Sequence, residues 1–258
     1  MIGSRDDENG EGRLASLKYR PEIDGLRAIA VAFVVLYHAD PRLLPGGFVG
    51  VDVFFVISGY LITGLLVSEW RAKGRIDFAA FYARRVRRLL PALTLVVVSV
   101  MALALWLMGR HGAAFEQTGD SALASLLMLA NLYFERHSGG YFDAPAEAMP
   151  LLHVWSLAVE EQFYLVYPAL LLLLLRLAPK GIAGRLVALS VASLLLAEFW
   201  VHVEPQRAFY QMPARFWELA AGGLVALSAV PAAARRHHAW LVPAGLACVL
   251  AAAVFTPE

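Results

Sequence analysis

Long runs of apolar residues divide the chain into candidate membrane-spanning helices. A bilayer crossing takes about 20 residues of α-helix, and seven runs are candidates for it. They lie at roughly residues 27–40, 49–69, 89–108, 151–175, 182–200, 212–229 and 239–256. An eighth run, at 121–134, is too short for an untilted crossing and is typical of a re-entrant or interfacial segment. The pattern predicts an all-α, polytopic transmembrane helical bundle with about seven or eight apolar helices.

The composition agrees with a membrane protein. Hydrophobic residues make up 59% of the 258 positions and charged residues 17%, whereas a soluble domain has about 45–50% and about 25%. This difference excludes a soluble enzyme, a disordered protein and a nucleic-acid-binding protein. The net charge of +1 indicates no polyanionic partner, and the single cysteine, Cys248, excludes an intramolecular disulfide.

The distribution of charges predicts the domain organisation and the orientation. Residues 1–18 are polar and are expected to form a disordered cytoplasmic tail, and residues 19–258 form the membrane domain. If the 121–134 run does not cross, most Lys and Arg residues share one side with the amino terminus, which is therefore expected to be cytoplasmic. If that run does cross, the difference in the number of Lys and Arg residues between the two sides of the membrane becomes smaller.

Ionisable residues on the first two apolar helices are candidates for function, because such groups are costly inside a membrane. His38 follows Arg27 by eleven positions, a rise of about 16 Å that returns to within roughly 20° of the same face. Asp52 enters the next helix on the side of His38, and a carboxylate beside an imidazole fixes its tautomer. Alternatively, Arg27 reaches the headgroups, His38 is interfacial and Asp52 only caps its helix.

The segment from Leu152 to Pro168 is the most informative of the chain. His153 and Glu160 are seven positions apart on one helical face, and Tyr164 follows Glu160 by four. The adjacent carboxylates of Glu160 and Glu161 cannot face lipid. They point into the bundle or into an aqueous cavity, or they carry a proton; alternatively, they form a purely structural polar cluster.

Arginines mark two further segments. Four follow Phe81 just before an apolar run, at Arg84, Arg85, Arg87 and Arg88. Such a cluster anchors a helix on the cytoplasmic side, or it binds a phosphorylated ligand, because guanidinium groups match phosphate geometry. Arg215 and Glu218 are three positions apart and are expected to pair. The seven histidines lack the spacing of metal ligands, so no metal site is expected.

In these residues the chain resembles acyltransferase family 3, the integral-membrane O-acyltransferases that modify bacterial envelope glycans. The likeness runs from about residue 19 to the end. The matching features are Arg27 and His38, the glycine-rich segment around Asp52, the arginines after Phe81, the string from His153 to Tyr164 and the segment from Pro213 to Glu218.

The resemblance implies transfer of an acyl group, usually acetyl, from cytosolic acyl-CoA to a hydroxyl of an extracytoplasmic glycan such as O-antigen, peptidoglycan or exopolysaccharide. The partners would be the lipid bilayer, the glycan and a C-terminal or separate SGNH-type domain, with no nucleic acid and no permanently bound cofactor. The location would be the bacterial inner membrane. Members of the family have about ten helices, so we expect the C-terminal part of the domain to be missing from this chain.

The residues and the resemblance together give a mechanistic hypothesis. The arginines, with Arg27, would bind the phosphates of acetyl-CoA, and His38 would act as general base, oriented by Asp52. Glu160, Glu161 and His153 would orient the acceptor or share the proton, and Trp155 and Tyr164 are candidate donors to the oxyanion. Arg215 and Glu218, like Trp155 and Tyr164, would have an acceptor-binding or structural role. The alternative is a non-catalytic carrier or flippase-like module for a glycan or acyl donor.

Overall fold

The computed structural model describes residues 20–109, 112–139, 149–177, 181–228 and 241–255, and the predicted tail at 1–18 lies outside them. These residues form ten helices and no strand, which confirms the predicted all-α class. The helices are α1 (Pro21–Ala39), α2 (Val49–Lys73), α3 (Phe78–Met108), α4 (Ala113–Leu126), α5 (Ala130–His137), α6 (Val154–Leu177), α7 (Ile182–Val203), α8 (Pro205–Tyr210), α9 (Met212–Leu227) and α10 (Leu241–Phe255).

Four of these helices are long and apolar enough to cross a membrane, namely α2, α3, α6 and α7. The shortest of them has 22 residues, which corresponds to about 33 Å against a hydrocarbon core of about 30 Å. Large apolar side chains such as Leu95 and Leu195 are exposed on α3 and α7. Such a surface is suited to lipid, and the fold is a helical membrane bundle.

The short apolar run at 121–134 is interrupted in the structure. α4 ends at Leu126 and α5 begins at Ala130, and between them Met128 adopts a positive φ of 56°. α4 has 14 residues and α5 has 8, or about 21 Å and about 12 Å of helix. Neither helix is long enough to cross the bilayer alone.

Close packing of α2 against α9 forms the centre of the bundle. A Cβ atom at Gly59 would collide with the carbonyl oxygen of Leu219, and one at Gly222 would collide with the carbonyl oxygen of Val56. Only glycine allows the two backbones to approach this closely. The contact fixes α2 between α9, α1 and α6, the helices that carry most of the predicted site residues.

The turn between α2 and α3 places the arginines. Gly74 ends α2 with a left-handed φ of 64°, and the side chain of Asp77 caps α3 by accepting a hydrogen bond of 2.9 Å from the Ala80 amide. The Arg84–Arg88 segment consequently lies in the second and third turns of α3, beside α1 and α6.

Candidate active site

A cavity of about 570 Å³ opens between α1, α2, α3 and α6. This volume lies within the range of about 300–1,000 Å³ that is typical of ligand sites. The charged and polar residues that line it are Arg27, Arg84, Arg85, Arg88, Ser58, Glu160, Glu161 and Tyr164. We call it the arginine cavity.

The structure brings most of the predicted arginines together and leaves one apart. Arg27 of α1 joins Arg84, Arg85 and Arg88 of α3 in the lining, whereas Arg87 is exposed and bonds the Ala83 carbonyl of its own helix. Successive helical positions are rotated by about 100°, so that Arg87, two positions after Arg85, projects from nearly the opposite side of α3 to Arg85.

A network of hydrogen bonds holds the two glutamates of the arginine cavity. Ser58 donates to Oε1 of the buried Glu160 at 2.5 Å, and the Tyr164 hydroxyl donates to the same oxygen. Arg85 bonds Glu161 at 2.8 Å, and its guanidinium lies 3.8 Å from the ring centroid of Tyr164. The two carboxylates therefore position Arg85, and the Tyr164 hydroxyl uses its proton in the hydrogen bond to Glu160.

A second, apolar cavity of about 200 Å³ adjoins the first. Both are lined by Phe54, Leu157 and Glu160, so that they meet at these three side chains. The rest of its lining includes Val34, one turn before His38, and Ser156, one turn after His153. We call it the apolar passage, because its position leads from the arginine cavity towards the two histidines.

Two histidines lie one helical turn from residues that line the apolar passage, His38 after Val34 and His153 before Ser156. Nδ1 of His38 hydrogen-bonds the Val34 carbonyl oxygen at 2.8 Å. A carbonyl oxygen can only accept, so Nδ1 carries the proton of the neutral imidazole and Nε2 is left as the basic nitrogen. Partial burial lowers the pKa of His153, and the nearby charge of His38 lowers this pKa further.

Asp52 contacts a buried ion pair on α9, although its own side chain is 36% exposed. Nη1 of Arg215 bonds Glu218 at 2.7 Å and Asp52 at 3.2 Å, and Nε of Arg215 donates to the Phe209 carbonyl at 3.0 Å. Removing one partner of a buried ion pair is strongly destabilising. The pairing of Arg215 with Glu218 agrees with the prediction. Asp52 was expected to fix the tautomer of His38, but in the structure the Val34 carbonyl makes that contact.

Trp155 belongs to the aromatic core beside this ion pair. It is only 2% exposed and packs against Phe55, Phe209 and Tyr210, with the Arg215 guanidinium 5.8 Å from its ring centroid. The surrounding rings place Trp155 of α6 against α2 and α8. This environment supports the structural role for Trp155.

Sequence reasoning missed a second polar contact inside the bundle. The Gln162 amide donates to Asn131 at 2.8 Å and to the Met128 carbonyl at 3.0 Å, and Asn131 donates to the Tyr210 carbonyl at 3.0 Å. These bonds join α5, α6 and α8. The sequence signal for this contact was Gln162 itself, a glutamine next to two glutamates in an apolar helix. Its partner Asn131 lies 31 positions away, so that the sequence did not identify the pair.

Comparison with known proteins identifies similar sequences. A family model described as an acyltransferase domain matches residues 20–257. The peptidoglycan O-acetyltransferase OatA of Listeria monocytogenes is 36% identical over 254 residues, which are 93% of this chain and 40% of that protein. The O-acetyltransferase OatA of Staphylococcus aureus is 36% identical over 227 residues, which are 87% of this chain and 37% of that protein.

The chain spans less than half the length of these curated relatives. The similarity to them extends over nearly all the described helices, including those that line both cavities. No solved structure shows significant similarity to the chain.

Proposed function

The chain belongs to acyltransferase family 3, and from this premise we propose that it is a membrane O-acetyltransferase acting on peptidoglycan. The donor is acetyl-CoA on the cytoplasmic side of the bacterial inner membrane, and the acceptor is a glycan hydroxyl on the other side. The names of the relatives support the acceptor. The observation that carries the proposal is the junction of an arginine-lined cavity with an apolar passage at Glu160.

The arginine cavity suits a donor that carries phosphates. Guanidinium groups bind phosphate oxygens through paired hydrogen bonds. Arg84 and Arg88 form no ion pair with any residue in the described ranges, and Arg27 is 3.8 Å from Asp24, too far for a hydrogen bond. These three side chains are therefore available to the phosphates of CoA, and the amino terminus and the arginine end of the bundle are cytoplasmic.

Arg85 has a different part in the same cavity. Its Nη2 is held by Glu161, while its Nε is buried and has no hydrogen-bond partner within the described part of the chain. A buried donor without a partner is unfavourable until an acceptor binds. An oxygen of the donor near Tyr164 would satisfy this group, which favours Arg85 as the arginine that fixes the start of the acyl-bearing arm.

The apolar passage suits the acyl-bearing arm of the donor. Its lining is dominated by small and branched side chains, among them Ala30, Val34 and Val51. A thioester placed beyond Glu160 lies between α1 and α6 and approaches His38. The apolar lining of this path disfavours water beside the thioester, which slows its hydrolysis.

The chemical step uses His38 as general base. Nε2 of His38 takes the proton of the acceptor hydroxyl while the oxygen attacks the thioester carbonyl, and a carbon–oxygen bond forms. The tetrahedral intermediate collapses by breaking the carbon–sulfur bond. The leaving thiolate takes the proton from His38, and free CoA and the acetyl ester are released. His153, kept neutral by its lowered pKa, orients the acceptor without adding a second positive charge beside His38.

The full-length protein in proteoliposomes tests this function directly. Labelled acetyl-CoA is supplied on one side and a soluble peptidoglycan glycan on the other, and label is measured on the glycan. We expect transfer by the natural protein and a loss of about 10²–10⁴-fold in His38→Ala, with none in the exposed control His202→Ala. Glycan that remains unlabelled in the natural protein but crosses the bilayer would establish a carrier instead.

A further inference from the structure

A third cavity, of about 390 Å³, lies away from the arginine cavity and the apolar passage. It is formed by the end of α3, by α4 and α5, and by the segment that precedes α6. Its lining residues are Met108, Ala114, Gln117, Thr118, Ser121, Tyr133, His137, Met149 and Pro150. It shares no lining residue with the other two cavities.

The position of this third cavity places it at the acceptor end of the bundle. Met108 follows Arg85 by 23 positions along α3, a distance of about 35 Å from the arginine cavity. Met149 and Pro150 lead directly into the turn that carries His153, where the Leu152 amide bonds the Met149 carbonyl at 3.1 Å. A ligand bound here lies next to the histidine end of the apolar passage.

None of the described residues that line the third cavity is Asp, Glu, Lys or Arg. A ligand with several phosphates, such as CoA, would find no compensating charge among these residues, whereas four arginines line the other large cavity. The chemistry of the lining therefore favours an uncharged and polar ligand.

A stacked pair of rings forms one wall of this cavity. The imidazole of His137 lies parallel to the ring of Tyr133, with 4.3 Å between the centroids and 16° between the planes. Each side chain also hydrogen-bonds a backbone carbonyl. Nδ1 of His137 bonds the Tyr133 carbonyl at 2.8 Å, and the Tyr133 hydroxyl donates to the Gln117 carbonyl at 3.2 Å. Since Nδ1 of His137 donates to a carbonyl, its Nε2 is an acceptor.

The α4 residues in the lining supply hydrogen-bonding groups. The side-chain amide of Gln117 makes no hydrogen bond to any residue in the described ranges. Thr118 and Ser121 donate to carbonyls of α4 and keep their oxygens as acceptors. Aromatic rings together with an amide and hydroxyl oxygens in one lining match a sugar ring, which has C–H groups on its faces and hydroxyls at its edge.

We propose that the third cavity is a sugar-binding subsite that holds an uncharged unit of the acceptor glycan next to the site of transfer. The inference rests on the proposed function for the identity of the glycan and adds where the glycan is held. In this account Tyr133, His137 and Gln117 contribute to acceptor affinity, and none of them touches the reacting atoms.

The test measures binding and catalysis separately in the full-length protein. The binding probe is a β-1,4-linked N-acetylglucosamine tetramer, followed by ligand-detected NMR in detergent. We expect His137→Ala and Gln117→Ala each to weaken tetramer binding by about tenfold, the scale of one lost ring contact or hydrogen bond. The control is His202→Ala, since His202 is an exposed α7 histidine that lies in none of the described cavities.

In the transfer assay, the same two variants should raise the KM for the glycan by a similar factor and leave the KM for acetyl-CoA unchanged. Undiminished tetramer binding in both variants would overturn the proposed subsite. Competition between CoA and the tetramer for binding would also overturn it. If no acetyl transfer is found but tetramer binding still depends on His137, the subsite is supported and the proposed function is not.

Discussion

His38 on α1 lies close enough to His153, just before α6, for the charge of one to lower the pKa of the other. The sequence separates these residues by 115 positions, and the fold brings them to the same end of the bundle. Protonation of His153 is therefore disfavoured beside a charged His38. In the proposed mechanism His153 consequently stays neutral while His38 takes the proton of the acceptor hydroxyl.

The lowered pKa of His153 predicts the pH dependence of stability. The unfolded chain binds a proton at His153 near its ordinary pKa of 6.5, whereas the folded protein resists protonation until a lower pH. The contribution of His153 to the free energy of unfolding is therefore fully present above pH 6.5. It decreases as the pH falls below 6.5. Melting temperatures between pH 5 and 7.5 should fall more steeply towards acid for the natural protein than for His153→Gln.

The control for this measurement is His202→Gln, because His202 is exposed and has a partner only on its own helix. It should keep the steeper acid dependence of the natural protein. Identical slopes for the natural protein and His153→Gln would show that His153 does not carry the effect.

The different directions of the α3 arginines predict different effects on donor binding. Arg84→Gln and Arg88→Gln each remove a cavity-facing charge and should raise the KM for acetyl-CoA by about tenfold with little change in kcat. Arg87→Gln makes the same change in charge outside the cavity and should behave as the natural protein. Equal effects in the three variants would mean that the cluster acts only through its total charge.

The contact between α2 and α9 predicts a stability difference between two glycines. Gly59→Ala places a Cβ against the Leu219 backbone and should cost about 1–3 kcal/mol. Gly184→Ala, in α7, meets no atom within 4 Å and should be neutral or gain about 0.5–1 kcal/mol. Thermal unfolding in detergent compares the two. A Gly59→Ala protein as stable as Gly184→Ala would contradict the close packing of these helices.

Local periodicity was sufficient to predict which residues share a helical face. The i,i+3 pairing of Arg215 with Glu218 and the i,i+4 contact of Glu160 with Tyr164 follow from helix geometry and are present in the structure. The same geometry would also have shown that Arg87 points away from Arg85. The break in the 121–134 run was indicated only by its length, because Met128 is not a residue that marks a turn.

Contacts between distant helices could not be predicted from the sequence. Asp52 was assigned to His38 because both lie near the same membrane surface, but helix packing brings Arg215 to Asp52 from 163 positions away. Likewise, nothing in the sequence placed Ser58 beside Glu160 or Asn131 beside Gln162. Such pairs depend on the rotation of each helix in the bundle, which the apolar pattern of a membrane helix constrains only weakly.

The central claim is that a route runs from the arginine cavity through the junction to His38. Leu157→Trp tests it, because Leu157 lines both cavities and a larger side chain fills their junction. Leu165→Trp is the matched control on the same helix, since Leu165 is exposed and lines neither of these cavities. The measurement compares acetyl transfer with binding of adenosine 3′,5′-bisphosphate, which carries phosphates but lacks the acyl-bearing arm. We predict that Leu157→Trp binds this nucleotide as the natural protein does and loses at least about 100-fold in transfer; transfer at the natural rate would contradict the route.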